Sequence, residues 1–366
     1  MHHNNSKQLT RIQEIVDSVF KAHPETKGIA VHIEVPKYDL SWKGAVGFAD
    51  SKGRKLTPEM PANIASNTKT YVAAAMLRLI EQGKLKTTEP IAKIISDKSN
   101  RLLIRGGYNT EQITVAHLLT NTSGIFDFVN TQQYQNLTQS DPGHRWTRDE
   151  QIQLAIDSGL FTVKAGEQFA YSETNYLLLT EIIEQKTQLP FHLAVRTLLK
   201  FEKLKLNSTW FLLQEDYPKG VLPLVEQTAT AYNVNSYRLD YSFDAFGGGG
   251  LASTVTDLAR FSQYLFSGNI FEKQSTQELL YTTIATTDGL APSYSFGLMH
   301  TNVAGYKAFG HGGFWGTQVK YIPEVDLTIA VFVMERDTWP VYNILIEEVV
   351  REIVKQKTLQ LPGNTH

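Results

Sequence analysis

The sequence contains no cysteine. Disulfide bonds, thiolate metal sites and a cysteine nucleophile are therefore excluded. An excess of one charge is also lacking, because 35 basic residues are offset by 37 acidic ones and neither sign forms a long block. The chain thus lacks the electrostatic footprint of a nucleic-acid-binding protein or of a membrane-surface protein.

Long apolar stretches are absent as well. No run approaches the roughly eighteen consecutive apolar residues of a membrane-spanning helix, and the most apolar segment, Leu327 to Met334, has the length of a core strand. The first residues, Met1 to Phe20, carry charged and amide side chains throughout and lack the apolar centre of a signal peptide. We therefore expect a soluble chain that, as given, has neither a membrane-spanning segment nor a signal peptide.

What is present is enough apolar material for a large core. Of the 366 residues 42% are hydrophobic and 11% aromatic, sufficient for one large domain or two interleaved ones. Apolar residues at steps of three and four predict helices, whereas alternating apolar residues predict strands. Helices are predicted at Leu9–Phe20, Thr68–Gln82, Val115–Leu119, Arg148–Ile156, Asn175–Gln185, Val255–Phe266 and Tyr342–Lys355. Strands are predicted at Gly28–Val35, Leu40–Phe48, Tyr294–Met299, Tyr306–Gly310, Thr317–Ile322 and Leu327–Met334.

The order of these segments predicts the fold class. Strands cluster at the two ends of the chain, and helices dominate between them. We expect an α/β (α+β) fold in which N- and C-terminal segments form one antiparallel sheet flanked by helices. The predicted sheet domain comprises residues 1–86 and 250–366, and residues 87–249 form an inserted, mostly helical domain.

A serine and a lysine three residues apart open the helix predicted at 68–82. Ser66 and Lys69 would lie over the same face of that helix, and a nearby group that takes its proton makes a serine hydroxyl nucleophilic. The helix start also favours negative charge that develops at Ser66. Alone, the pair is weak evidence, because a helix-capping serine and a solvated lysine are the more common explanation of such a spacing.

Four further segments favour a catalytic interpretation of Ser66 and Lys69. They read TVAHLLTNTSGIFDF at 114–128, FAYSETNYLLL at 169–179, GGGGLASTVTDLARF at 247–261 and FGHGGFWG at 309–316. Together with the Ser66 segment they resemble the serine β-lactamase-like hydrolases, which include class C β-lactamases, D-alanyl-D-alanine carboxypeptidases, D-aminopeptidases and some esterases. The pieces occur in the order typical of that family and extend over nearly the whole chain, which is more specific than any single motif.

The resemblance implies roles for the residues that match. Ser66 would form the acyl-enzyme, and Tyr171, its pKa lowered by Lys69, would carry the proton. The backbone N–H groups of Ser66 and Phe314 would form the oxyanion hole. His311 would provide a positive or hydrogen-bonding edge.

Two glycines follow that histidine, and by the same resemblance Gly312 and Gly313 let the backbone approach the substrate. One position departs from the family pattern, because Glu173 stands where the family usually has asparagine. An ionised carboxylate can only accept hydrogen bonds, so near Lys69 it would pair with the ammonium and weaken its effect on Tyr171. We expect Glu173 either to orient Lys69 or to help activate the deacylating water; the alternative is a carboxylate turned to solvent.

The sequence contains no motif for a metal site, a phosphate-binding loop or a Ser-His-Asp triad. The histidines lack metal-ligand spacing such as H-E-x-x-H, Gly247 to Gly250 lacks the lysine of a phosphate-binding loop, and no G-x-S-x-G elbow occurs. We therefore expect no metal and no cofactor. No arginine lies between Tyr294 and Trp315, which leaves Lys307, His300, His311 and Thr317 as candidate partners of a substrate carboxylate and favours a less anionic substrate.

The sequence thus predicts a serine hydrolase of the β-lactamase or D-alanyl-D-alanine carboxypeptidase type, acting on a peptide, amide, ester or β-lactam carbonyl. The alternatives are an esterase or D-aminopeptidase relative, and a weakly catalytic homologue that binds peptidoglycan. We expect a small-molecule or peptide substrate and no nucleic-acid partner; the oligomeric state stays open. The resemblance favours a periplasmic or secreted location, with the cytoplasm as the alternative.

Overall fold

The dominant element of the computed structural model is a sheet. The model describes residues 2–159, 163–286, 289 and 291–358, with side chains from residue 8 to residue 355. Its strands are β1 (Gly28–Val35), β2 (Leu40–Gly47), β3 (Ala62–Asn63), β4 (Trp210–Phe211), β5 (Thr228–Ala229), β6 (Val234–Asn235), β7 (Leu251–Ser253), β8 (Ile284–Ala285), β9 (Ser293–Tyr294), β10 (Met299–Val303), β11 (Tyr306–Gly313), β12 (Thr317–Ile322) and β13 (Leu327–Val333). Eight of them form one sheet in the order β2-β1-β13-β12-β11-β10-β9-β8. Every neighbouring pair in it is antiparallel, so the predicted sheet of N- and C-terminal segments is confirmed.

Helices surround the sheet and fill most of the chain between its two halves. They are α1 (His2–Ala22), α2 (Thr68–Glu81), α3 (Asp97–Arg105), α4 (Val115–Leu119), α5 (Gln132–Ser140), α6 (Arg148–Asp157), α7 (Glu173–Thr187), α8 (Phe191–Leu198), α9 (Phe201–Leu204), α10 (Val255–Phe266), α11 (Gln274–Glu278) and α12 (Trp339–Thr358). The division into a sheet domain and an inserted helical domain stays a prediction. Among the described residues, no helix combines the length and the apolar character needed to span a bilayer.

The two faces of the sheet carry separate cores because side chains alternate along each strand. On one face, Ile29, Val31 and Ile33 of β1 pack with residues of α1 and α12. On the other face, Ala30 of β1 and Phe332 of β13 belong to a larger core that includes residues of α2, α7 and α10. The sheet is thus sandwiched between the terminal helices and the helices that carry the site.

The end of β11 is open on one side. Strand β10 begins at Met299, which pairs with Gly310, so the last three residues of β11 have no partner in β10. On its other side β11 continues to pair with β12 as far as Gly313 and Thr317. An exposed strand edge can pair with a further extended chain.

One strand prediction was wrong. The segment Tyr294–Met299 is not continuous: β9 ends at Tyr294 and β10 begins at Met299. Between them the Gly297 carbonyl accepts a hydrogen bond from Thr70 Oγ1 of α2 at 2.8 Å, so this backbone is bound to a helix instead of a strand.

Candidate active site

Ser66 lies in a single turn of 3-10 helix, Ala65–Asn67, that leads directly into α2. Ala65 has φ 44°, a left-handed conformation that residues other than glycine rarely adopt. The turn is fixed to the sheet because Asn67 Nδ2 donates to Thr317 Oγ1 at 3.0 Å, and Thr317 Oγ1 donates to the Ile64 carbonyl at 3.1 Å. The serine is held at the mouth of a cleft and is partly accessible.

Lys69 is fully buried one turn further along α2. Its Nζ donates to Ser66 Oγ at 3.0 Å, to Glu173 Oε2 at 2.5 Å and to the Gly248 carbonyl at 2.7 Å. An ammonium group has three N–H donors, and here each has an acceptor. The sequence prediction that Ser66 and Lys69 share a face therefore agrees with their geometry.

Glu173 is the first residue of α7, and its side chain is only 11% exposed. The structure places it on Lys69 and not in solvent. Its second oxygen, Oε1, accepts a hydrogen bond from Ser66 Oγ at 3.3 Å. One carboxylate therefore contacts both the hydroxyl and the ammonium.

The glycine run 247–250 makes room for this pair. A methyl group on Gly248 would overlap Glu173 Oε2, and the Gly248 carbonyl is the acceptor for Lys69 described above. Glycine at this position therefore allows backbone and carboxylate to approach the same ammonium.

Two more carboxyl groups surround the pair, and the sequence had not singled them out. Asp127 accepts the Glu173 N–H at 3.1 Å, and Asp244 lies beside the glycine run. Burial, followed by the charge of Glu173, raises the pKa of Asp127 to about 8 and that of Asp244 well above its usual range. Asp127 is the second-last residue of the segment quoted at 114–128. No charged partner near it in the sequence marks it as part of the site.

Tyr171 lies beside the same group, with Lys69 Nζ 5.0 Å from its ring centroid. Burial raises its pKa well above the ordinary value, and the charge of Glu173 raises it further; hydrogen bonding to Ser66 acts in the opposite direction. The expectation that Lys69 lowers the pKa of Tyr171 is therefore wrong, because the ammonium is paired with Glu173 and the phenol is shielded from water. Tyr171 is a neutral phenol at the site.

His311 is fully buried on β11. Its Nδ1 lies 2.7 Å from the Gly312 carbonyl and its Nε2 lies 3.3 Å from the Tyr294 hydroxyl. Because a carbonyl only accepts, Nδ1 carries the proton and Nε2 accepts from the tyrosine. Burial, helped by the charge of Lys69, lowers the pKa of His311 to about 3. Of the two roles expected of His311, the positive edge is wrong because the residue is neutral, whereas the hydrogen-bonding edge stays a prediction. Its ring centroid lies 6.2 Å from that of Tyr171.

The end of β11 packs directly on the Ser66 turn. A methyl group on Gly313 would overlap the Ile64 carbonyl, so only glycine allows this contact. The next residue is Phe314, which lines the cleft together with Ser66. Their N–H groups therefore lie on adjoining segments, and their role as an oxyanion hole stays a prediction.

The cleft has a volume of about 820 Å³ and extends beyond the Ser66 side of the sheet. Its far part is lined by Met299, Thr301, Gln318, Lys320, Trp339, Tyr342 and Asn343. Lys307 and His300, candidates for binding a carboxylate, line a different depression, and the Thr317 hydroxyl is held by the Ser66 turn. Among the described residues, His, Asp and Glu side chains nowhere form a group of three or more that could hold a metal ion.

Comparison with known proteins identifies the family. A family model described as Beta-lactamase matches residues 16–351. The chain belongs to the beta-lactamase family. The family resemblance expected from the sequence is thus confirmed.

Individual relatives of this beta-lactamase-family chain are distant. It is 31% identical over 145 residues to Protein flp of Staphylococcus aureus (strain COL), a match that covers 39% of the chain and 26% of that protein. It is 23% identical over 326 residues to Penicillin-binding protein 4* of Bacillus subtilis (strain 168), covering 82% of the chain and 67% of that protein. Among solved structures, D-amino acid amidase from Ochrobactrum anthropi SV3 has a TM-score of 0.79 at 20% identity, covering 95% of this chain and 99% of that one. These likenesses support the fold.

Proposed function

We propose that this enzyme hydrolyses amide or peptide bonds through an acyl-enzyme formed on Ser66. The observation that carries the proposal is the contact of one hydroxyl with two charged groups. Lys69 Nζ donates to Ser66 Oγ at 3.0 Å, and Glu173 Oε1 lies 3.3 Å from the same oxygen. A nucleophile, an acceptor for its proton and a compensating cation are therefore in hydrogen-bonding reach of one another.

Glu173 is the proposed acceptor of the serine proton. Lys69 uses all three N–H groups as donors and has no lone pair to offer, and Tyr171 is a neutral phenol with a raised pKa. Ser66 Oγ attacks the carbonyl carbon while its proton passes to Glu173, and the ammonium of Lys69 stays beside both groups.

Collapse of the tetrahedral intermediate breaks the bond to the leaving nitrogen. That nitrogen takes a proton from the Tyr171 phenol, which recovers one from Glu173. The backbone N–H groups of Ser66 and Phe314 would hold the oxyanion. Water then attacks the Ser66 ester, gives a proton to Glu173 and releases the acid, and Ser66 regains its proton. The sum is one amide and one water converted to one acid and one amine.

The names of the similar proteins support an amide substrate that contains a D-amino acid. The similar structure from Ochrobactrum anthropi SV3 is a D-amino acid amidase, and the Bacillus subtilis relative is a penicillin-binding protein. We therefore propose D-amino acid amides or short peptides ending in a D-residue as the first substrates to test, with p-nitrophenyl esters and nitrocefin covering the esterase and β-lactamase alternatives.

Intact mass after incubation with a fluorophosphonate or a fluorescent penicillin tests the acyl-enzyme directly. We expect one adduct on the wild type and none on Ser66→Ala. Ser172→Ala is the matched control, because Ser172 is a buried neighbour of Tyr171 whose hydroxyl has no partner. An adduct that survives in Ser66→Ala contradicts the proposal. An adduct that forms on the wild type but is never released, with no turnover of the substrate panel, favours the weakly catalytic binding homologue instead.

A further inference from the structure

The cleft continues to the face of the sheet opposite Ser66. Lys320 of β12 pairs with Gly310 of β11 on one side and with Ile329 of β13 on the other. Residues paired across antiparallel strands share a face, and Ile329 belongs to the core beneath α1 and α12. The Lys320 side chain therefore lies on the α12 face of the sheet.

Lys320 is a buried cation without a counter-charge. Only 4% of it is exposed, and within the described chain it has no hydrogen bond and no ion pair. Burying an unpaired ammonium in a protein is energetically costly, so proteins seldom retain one without a use. Burial lowers its pKa to about 8, so the group is still mainly an ammonium at neutral pH.

A second polar group on this face also has no partner. Thr301 Oγ1 of β10 is buried and makes no hydrogen bond. Thr301 lies two residues after Met299, which pairs with Gly310, so Thr301 is on the same face as Lys320. The Lys320 ammonium and the Thr301 hydroxyl line the same cavity, and neither has an acceptor among the described residues. Together they could donate hydrogen bonds to a bound anion.

The charges around the cleft favour a negative ligand at this place. The described acidic residues that line the cleft are Asp127 and Glu173, and both lie on the Ser66 side around Lys69. The described lining near Lys320 offers amides instead, from Gln318 and Asn343, which can donate to an anion. The open edge of β11 beyond Gly310 joins the two parts of the cleft.

We propose that Lys320 and Thr301 form a subsite that binds a carboxylate of the substrate on the α12 face of the sheet. This inference rests on the proposed function and narrows it to amides or peptides that carry a carboxylate away from the scissile bond. The sequence alone favoured a less anionic substrate, because the segment from 294 to 315 contains no arginine. Lys320 lies outside that segment, and the proposal therefore replaces that expectation.

Matched substrates test the subsite. One pair is a D-peptide with a free C-terminal carboxylate and its carboxamide; the other is an N-succinyl and an N-acetyl D-amino acid amide. We expect the wild type to favour one anionic member by about tenfold or more in kcat/KM, the effect of one hydrogen bond to a charged group. Lys320→Met should bring that ratio close to one. Lys307→Met is the matched control, because Lys307 is exposed on β11 outside this cleft, and it should keep the ratio.

A binding measurement separates failure of the subsite from failure of the proposed function. Calorimetric titration of Ser66→Ala with glutarate requires no catalysis, and we expect binding that is lost on adding Lys320→Met. If wild type turns over both members of each pair equally, the subsite is refuted while the hydrolase proposal stands. If glutarate binds at Lys320 but anionic substrates have no advantage, the site takes a free anion and the substrate assignment is overturned. If nothing is turned over, the titration alone decides, and absence of binding refutes the subsite.

Discussion

Two buried lysines lie on opposite faces of the sheet near the end of β11. Lys69 is fully buried and has three acceptors, one of them a carboxylate at 2.5 Å. Lys320 is 4% exposed and has no partner within the described chain. The protein thus compensates the burial of Lys69 with its own acceptors, whereas the burial of Lys320 is not compensated by any described group.

The difference separates two uses of buried charge. A paired ammonium stabilises a fixed arrangement, here the contact of Ser66 with Glu173, and its loss leaves a carboxylate uncompensated. An unpaired ammonium destabilises the empty protein and gains from a ligand that brings the missing charge. The following predictions separate these two uses.

The largest effect is expected from Lys69→Met. Removing the ammonium leaves Glu173 buried without its cation, and Asp127 and Asp244 lie nearby. We expect a loss of about 3–5 kcal/mol in the free energy of unfolding, measured by urea denaturation at pH 8. We also expect no adduct on Ser66 by intact mass.

The double variant Lys69→Met with Glu173→Gln is the control for this loss. Without the carboxylate there is no uncompensated charge, so most of the lost stability should return while the adduct stays absent. If the double variant is as unstable as Lys69→Met, packing of the lysine stem and not its charge stabilises the site. Lys69 would then not differ from Lys320 in having its charge compensated by the protein.

A smaller effect is expected from Glu173→Gln and from Glu173→Asn, which restores the residue usual in the family. Glutamine keeps an acceptor for Lys69 but cannot take the serine proton. We expect turnover to fall by about 10²–10⁴-fold, the usual contribution of a general base. Stopped-flow measurement with a p-nitrophenyl ester separates acylation, seen as the burst, from deacylation, seen as the steady state. If both variants keep full turnover, Glu173 neither accepts the proton nor orients Lys69.

Sequence reasoning identified the paired lysine and missed the unpaired one, for a physical reason. Ser66, Lys69, Tyr171 and Glu173 lie in or next to segments whose periodicity or motifs mark them, and these four meet at the site. Lys320 lies in a strand that reads as alternating, and such a strand normally turns its polar residues to water. Helix α12 covers that face, and its docking comes from contacts distant in sequence.

The regularity of the local sequence pattern also explains which helices and strands were predicted correctly and which were missed. Helix α10 and strands β1 and β12 were predicted with their observed bounds because each has a regular apolar pattern. Helices α3 and α5, rich in polar residues, were not predicted, since little in them repeats at helical spacing. The lowered pKa expected of Tyr171 failed because burial outweighs the attraction of a cation that is already paired.

The smallest effect concerns the empty Lys320 site, and its sign is opposite to that of Lys69. Burial lowers the pKa of Lys320 from 10.5 to about 8. The Lys320 ammonium is therefore more acidic in the folded protein than in the unfolded chain. This difference lowers the free energy of unfolding in full below pH 8, and the loss disappears as the pH rises to 10.5. Lys320→Met removes this loss, so the variant should be more stable than the wild type by about 3 kcal/mol at pH 7 and by about 1 kcal/mol at pH 9.5.

Urea denaturation of the wild type and of Lys320→Met at the two pH values measures this gain. The difference between the two proteins cancels the contribution of other titrating groups, such as Tyr342 in the same cavity. Lys307→Met should show no pH-dependent gain, because Lys307 is exposed. Saturating glutarate should reduce the advantage of Lys320→Met at pH 7, since the anion stabilises only the protein that retains the ammonium. A variant less stable than the wild type at both pH values would mean that Lys320 is compensated within the protein, and the distinction between the two lysines would be lost.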